Sequence, residues 1–217
     1  MKSDSEMQSD VQTALKWKPS VNTAQIGVTA NNGVITLSGH VAHNAEKIEA
    51  EDTAKGFYGV EGVANEITVE LPVASCQTDA NVAAAAVSAL KWDYVVPQDI
   101  VKVTVRDSWV TLDGTVNWQY EKEAADRCVR YLIGVSGVTN AIIIKSQSTA
   151  AGVKIKIEGA FRRSADLNAR RITVEMTGDV VTLTGTVPSW MERAEASSAA
   201  WEAPGVTSVD DQLIISP

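Results

Sequence analysis

The chain has 217 residues, 45% of them hydrophobic and 21% charged, a balance that excludes an intrinsically disordered protein. A formal net charge of −8 excludes general nucleic-acid binding, which needs a basic face to displace counterions from phosphates. No apolar run approaches the ~20 residues that span a bilayer, and the opening MKSDSEMQSD lacks the apolar core of a secretory signal. With only two cysteines, Cys76 and Cys128, and so no disulfide framework, the expectation is a reduced, cytoplasmic protein.

The first element carries apolar residues at Met7, Val11 and Leu15, spaced as one stripe of a helix facing a core. The stripe returns 75 residues later at Val82, Ala86 and Leu90, and 71 beyond that at Val153, Ile157 and Phe161. Two short strands follow in each copy. Ile26 and Val28 alternate in the first, with Val101/Val103 and Ile172/Val174 as counterparts. Ile35, Leu37 and Val41 alternate in the second, with Val110/Leu112/Val116 and Val181/Leu183/Val187. Asn32-Gly33 joins the first pair as a hairpin turn, because that dipeptide tolerates positive φ. Arg106-Asp107-Ser108 and Gly178-Asp179 stand in the same place.

A second helix comes next, with columns Ala50/Ala125/Ala196, Ala54/Val129/Ala200 and Phe57/Leu132/Ala203. A third strand closes the unit through Ile67/Ile142/Leu213 and Val69/Ile144/Ile215. Independent motifs sharing one pair of offsets identify an internal repeat. The fold expected is α+β, three tandem αββαβ modules over residues 1–74, 75–147 and 148–217. Each is a three-stranded mixed sheet with two helices on one face and the other face open. The open faces carry Val34, Trp109 and Val180 in one column. A module this small gains by covering such a face, so the copies are expected to pack on one another with Trp109 at or near a contact between them.

The strands VITLSG, WVTLDG and VVTLTG end on Gly39, Gly114 and Gly185. These glycines share parity with the inward residues, which implies structural glycines where a helix approaches the sheet closely. A second motif, Gly59 to Val63 followed by Asn65, recurs as Gly134 to Val138 with Asn140. On these two motifs the chain resembles the BON domain family, and as a whole it resembles bacterial cytoplasmic proteins with three tandem copies of that domain. The resemblance implies association with phospholipid or membrane surfaces during osmotic stress or envelope maintenance, with no catalytic residues to carry over. The third copy departs from the pattern, with Ser208 for the second glycine and Asp211 for the asparagine. The second has Ser108 for the hairpin glycine.

No phosphate-binding loop, dinucleotide fingerprint or hydrolase motif occurs, so a non-enzymatic protein without cofactor or metal is expected. His40 and His43 form HxxH, but two ligands do not fill a coordination sphere and the other copies lack both histidines. Neither cysteine has a histidine in its own copy to activate it. Glu46, Glu49, Glu51 and Asp52 read as a solvated helix face that does not recur as a column.

Two groups remain as candidate sites. Lys154, Lys156, Arg162, Arg163, Arg170 and Arg171 face only Glu158 and Asp166, the one basic cluster in an acidic chain and a candidate lipid-headgroup site. Trp17, Trp92, Trp109, Trp118 and Trp190 pack at helix ends and between copies or anchor a lipid or protein interface. A soluble protein-interaction scaffold without lipid affinity is the alternative function.

Overall fold

The computed structural model describes residues 2–72, 76–145, 153–163, 171–203 and 205–216. The first copy runs α1 (Asp4–Lys16), a short 3-10 turn (Thr23–Gln25), β1 (Ile26–Asn31), β2 (Val34–Val41), α2 (Asn44–Lys55) and β3 (Gly62–Val69). The second runs α3 (Asp79–Trp92), β4 (Lys102–Arg106), β5 (Trp109–Asp113), β6 (Thr115–Val116), α4 (Gln119–Arg130), β7 (Gly137–Asn140) and β8 (Ile143–Ile144). The third runs α5 (Val153–Arg163), β9 (Ile172–Thr177), β10 (Val180–Val187), α6 (Trp190–Trp201) and β11 (Ser208–Ile215).

Helix starts follow from local chemistry. Ser3 accepts a hydrogen bond from the Glu6 amide (3.3 Å) while the Glu6 carboxylate accepts one from the Ser3 amide (2.8 Å), closing a capping box at α1. Thr78 and Ser189 cap α3 and α6 through their hydroxyls. In each sheet the middle strand runs antiparallel to the first and parallel to the third, so Leu37 sits between Val28 and Asn65. In the second copy the middle and third strands are each interrupted, giving β5/β6 and β7/β8.

Each copy has its own apolar core. Ile35, Leu37, Val110, Leu112, Val181 and Leu183 are wholly buried, as their alternation requires, and the helical stripes are buried against them. The hairpin turns take the conformation their residues allow, with φ of 48° and 76° at Asn32 and Gly33 and of 51° and 63° at Asp107 and Ser108. The strained turns are held from outside. Asp4, in the first turn of α1, accepts from the amides of Asn32 and Gly33 (2.8 and 3.1 Å), and Asp79, 75 residues on, accepts from those of Asp107 and Ser108 (3.0 and 2.9 Å).

Three expectations change. Gly39, Gly114 and Gly185 do not make room for a helix. Their φ values are 118°, 151° and 128°, and a Cβ would lie 1.9, 2.7 and 2.0 Å from the carbonyl oxygens of Gln25, Ile100 and Arg171. The close neighbour is the backbone entering the first strand, so these glycines let the middle strand bend away from its antiparallel partner.

The carboxylates also repeat. Glu46, Glu121 and Glu192 obey the same offsets, and the first two are buried. Glu46 accepts from the Asn22 amide (2.9 Å), and Glu121 from those of Asn117 and Trp118 (2.8 and 3.0 Å). They pin the second helix to the preceding chain.

The open sheet faces, finally, are covered only in part: Trp109 lines a cleft against the first copy, as expected, but the faces are not buried. Val34 and Trp109 remain exposed there, among polar residues such as the cross-strand row Thr104, Thr111 and Thr139. Hydroxyls tolerate water, which removes the drive to bury the face.

The departures of the third copy have a local account. Asn65 and Asn140 each donate from the side-chain amide to a carbonyl of the second helix, Lys47 O (3.3 Å) and Lys122 O (2.8 Å). Asp211 cannot donate. Arg193, which stands where the other copies have Lys47 and Lys122, instead donates to the Asp211 carboxylate (2.9 Å) and carbonyl (3.0 Å). The strand-to-helix tie survives with its polarity reversed.

Candidate functional site

The copies meet through their second helices. Asn44, Gln119 and Trp190 open α2, α4 and α6, and Lys55, Arg130 and Trp201 close them. Asn44 donates to the Arg130 carbonyl (3.0 Å), joining the start of α2 to the end of α4. Trp118 and Gln119 line a cleft with Trp201, joining the start of α4 to the end of α6. The Lys55 ammonium lies 5.8 Å from the ring centre of Trp190, joining the start of α6 to the end of α2. Three head-to-tail contacts close into a ring, and equivalent surfaces are used each time. Trp190 packs on the core of the first copy as well as its own, and Trp201 on the cores of the second and third.

The clefts at the three junctions differ in chemistry. That between the first and second copies is lined by Lys47, Glu51, Lys55, Asp126, Arg130 and the indole of Trp109. Its charges are paired within the protein: Lys55 with Glu51 at 2.5 Å, and Arg130 with Asp126. Burial pushes Glu51 up, but hydrogen bonds from Lys55 and Asn65 and the nearby lysine charges outweigh it and hold the carboxyl below its ordinary value. Trp109 is 47% exposed. Its indole donates to the Thr139 hydroxyl (2.9 Å), and it lies flat over Gly137, where a Cβ would come within 2.4 Å of the ring. It therefore lines a contact between copies while keeping half its surface free.

The remaining tryptophans separate into two groups. Trp118 and Trp190 are half-buried at the junctions. Trp17 and Trp92 do not pack at the helix ends: they are 83% and 89% exposed, each preceded by an exposed lysine, Lys16 and Lys91. Tyr94 stands almost wholly in solvent beside Trp92. The basic residues are only partly brought together. Lys154 and Lys156 lie exposed on α5, Lys154 facing Glu158 at 3.8 Å, and Arg171 is exposed just before β9. Arg170 and the side chains of Arg162 and Arg163 lie outside the described residues.

His40 is the penultimate residue of β2 and His43 precedes α2, both partly exposed. Cys76 is exposed. Cys128, on α4, donates to the Asp93 carboxylate (3.3 Å); burial, reinforced by that hydrogen bond and charge, pushes its thiol up to about 11. This is the opposite of an activated nucleophile. At pH 8 Cys128 should alkylate with iodoacetamide roughly 10-fold more slowly than a freely exposed thiol, the loss of thiolate being partly offset by its greater nucleophilicity. Peptide mass spectrometry over a time course reads the rates, and labelling of Cys128 as fast as Cys76 would contradict the assignment. Among the described residues no helix is long and apolar enough to cross a membrane.

The family model for the BON domain matches three times, over residues 3–70, 78–146 and 150–217. The chain belongs to the BON domain family. It is 32% identical over 146 residues to osmotically-inducible protein Y of Escherichia coli (strain K12), covering 65% of this chain and 73% of that protein. Among solved structures it is similar to the C-terminal domain of CdsD, a structural protein of the Type III secretion system of Chlamydia trachomatis. That likeness has a TM-score of 0.27 and 15% identity over the whole of both chains. Within the BON repeat, the inward columns, strand glycines and strand-to-helix tie are shared by the copies. The residues at the helix ends, which make the junctions, are not.

Proposed function

We propose that this BON protein is a non-catalytic, stress-related protein that associates peripherally with phospholipid surfaces. The observation that carries the reading is the repeated Lys-Trp pair: Lys16-Trp17 and Lys91-Trp92 close α1 and α3 with both indoles in solvent. An exposed indole beside an ammonium suits the boundary between acyl chain and headgroup, and each basic residue near an anionic surface contributes ~1 kcal/mol. The third copy has Arg162-Arg163 in the same place, which would add charge where the others add aromatic surface. Similarity to an osmotically-inducible protein supports the stress-related setting.

Flotation with phosphatidylglycerol-containing vesicles tests this. The chain should float at low salt, less so at physiological ionic strength, where charges are screened beyond ~8 Å. Trp17→Ala with Trp92→Ala, or Arg162→Glu with Arg163→Glu, should each reduce the floated fraction severalfold. Failure to float on anionic vesicles at any salt would reject the reading in favour of a protein-interaction scaffold.

A further inference from the structure

The junction between the second and third copies holds a cleft of about 540 Å³ whose composition is unlike the other two. Trp118, Tyr120 and Trp201 line it together with Glu123 and Glu202, and among the described residues no basic one does. Trp118 and Tyr120 stack, with ring centres 6.3 Å apart and planes at 20°. The side-chain oxygen of Gln119 is buried at the same place with no hydrogen-bond partner among the described residues, its amide being spent on Glu123 (3.0 Å).

The internal repeat supplies the control. At the other two junctions the helix that ends in the cleft ends on a cation, Lys55 or Arg130. At the junction of the third copy with the first, the protein's own cations lie over the indole of Trp190: Lys55 at 5.8 Å and Arg193 at 5.2 Å. In α6 the terminal cation is replaced by Trp201 and followed by Glu202, and its last turn has no basic residue. Aromatic rings and two carboxylates converge there, while the dipole of α6, which ends in the cleft, is offset by that of α4, which begins in it. Among the described residues neither Glu123 nor Glu202 has an ion-pair partner.

We infer that this cleft binds an organic cation of the methylated-ammonium class, which takes the place that Lys55 and Arg130 fill at the sister junctions. Methylated ammonium suits the site because it presents positive charge through apolar methyl groups, matching aromatic faces that a strongly hydrated ammonium meets less well. Such a group reaches the cleft either as a free solute or as a choline headgroup of a lipid. The inference is independent of the Lys-Trp surface proposed above.

The test titrates the full chain with choline and with tetramethylammonium, by calorimetry and tryptophan fluorescence, against sodium chloride at equal ionic strength. Saturable binding at about 0.1–10 mM is expected for so small a ligand. Trp201→Lys, which restores the residue type of the first copy, should weaken it at least ~10-fold. Because Trp201 also packs on two cores, Glu123→Gln with Glu202→Gln provides a second variant at exposed positions, with the same expected loss. Trp17→Ala should leave the titration unchanged, and Trp201→Lys should leave flotation on anionic vesicles unchanged, so the two readings fail separately. Flotation on phosphatidylcholine vesicles distinguishes the sources: retention there assigns the site to a headgroup, binding of free choline alone assigns it to a solute. Absence of saturable binding, an equal response to sodium, or affinity within twofold of the parent in the double glutamine variant would overturn the inference.

Discussion

Gly39→Ala should destabilise the first copy by about 2–5 kcal/mol, the combined scale of a side chain forced into an unfavourable φ and of overpacking against a neighbour that cannot move aside. The neighbour is the Gln25 carbonyl, 1.9 Å from where the Cβ would stand, and it ends the 3-10 turn that leads directly into β1. Gly62→Ala is the matched control. Its Cβ would meet only the Val34 methyls at 3.6 Å, at a φ that any residue adopts, so the change should stay within about 0.5 kcal/mol. Urea unfolding of both variants reads the difference. If Gly39→Ala were as stable as Gly62→Ala, the bend in the middle strand would not depend on glycine.

Leu112→Ala should cost about 2–5 kcal/mol, the range for removing a wholly buried leucine from a packed core. Leu112 lies on the middle strand of the second copy between Val103 and Asn140 and has no exposed surface. Because the three cores are separate, the loss should fall on one copy. Unfolding then divides into an early transition for the second copy and a later one for the others, and no single free energy describes the whole chain. Hydrogen exchange read on peptides of the second copy, beside total helix content, separates the two. One coincident transition at the parental midpoint would contradict this.

Both positions were marked in the sequence, with unequal success. Leu112 sits in an alternating strand whose partners recur at fixed offsets, so its burial follows from periodicity alone. Gly39 was visible as a column, and parity placed it on the inner face. Parity says nothing about φ, however, and only the path of the neighbouring strand reveals that backbone is the close contact. Glu46, Glu121 and Glu192 were legible but hidden, because a carboxylate on a helix resembles a solvated one until it is aligned across all copies. The junctions were legible only through the tryptophans Trp109, Trp118 and Trp190, and their geometry was not. Asn44, Gln119 and Trp190 share no chemistry, nor do Lys55, Arg130 and Trp201, so no pattern of residue types marks them as equivalent contacts. Hydrophobic economy pointed to the sheet faces, of which Trp109 does line a junction, while their threonines leave the rest content in water.

The head-to-tail closure bears on how the molecule behaves in a crowded solution. An interface between unlike surfaces propagates without limit unless something terminates it, and a chain of such contacts that misses closure grows into a filament. Here three turns of the same contact bring the last surface back to the first, so each head meets a tail of the same chain. The contact of Trp190 with Lys55 and the first core is the one that completes the circuit. Covalent tandem linkage thereby satisfies within one chain the contacts that separate modules would otherwise make with one another.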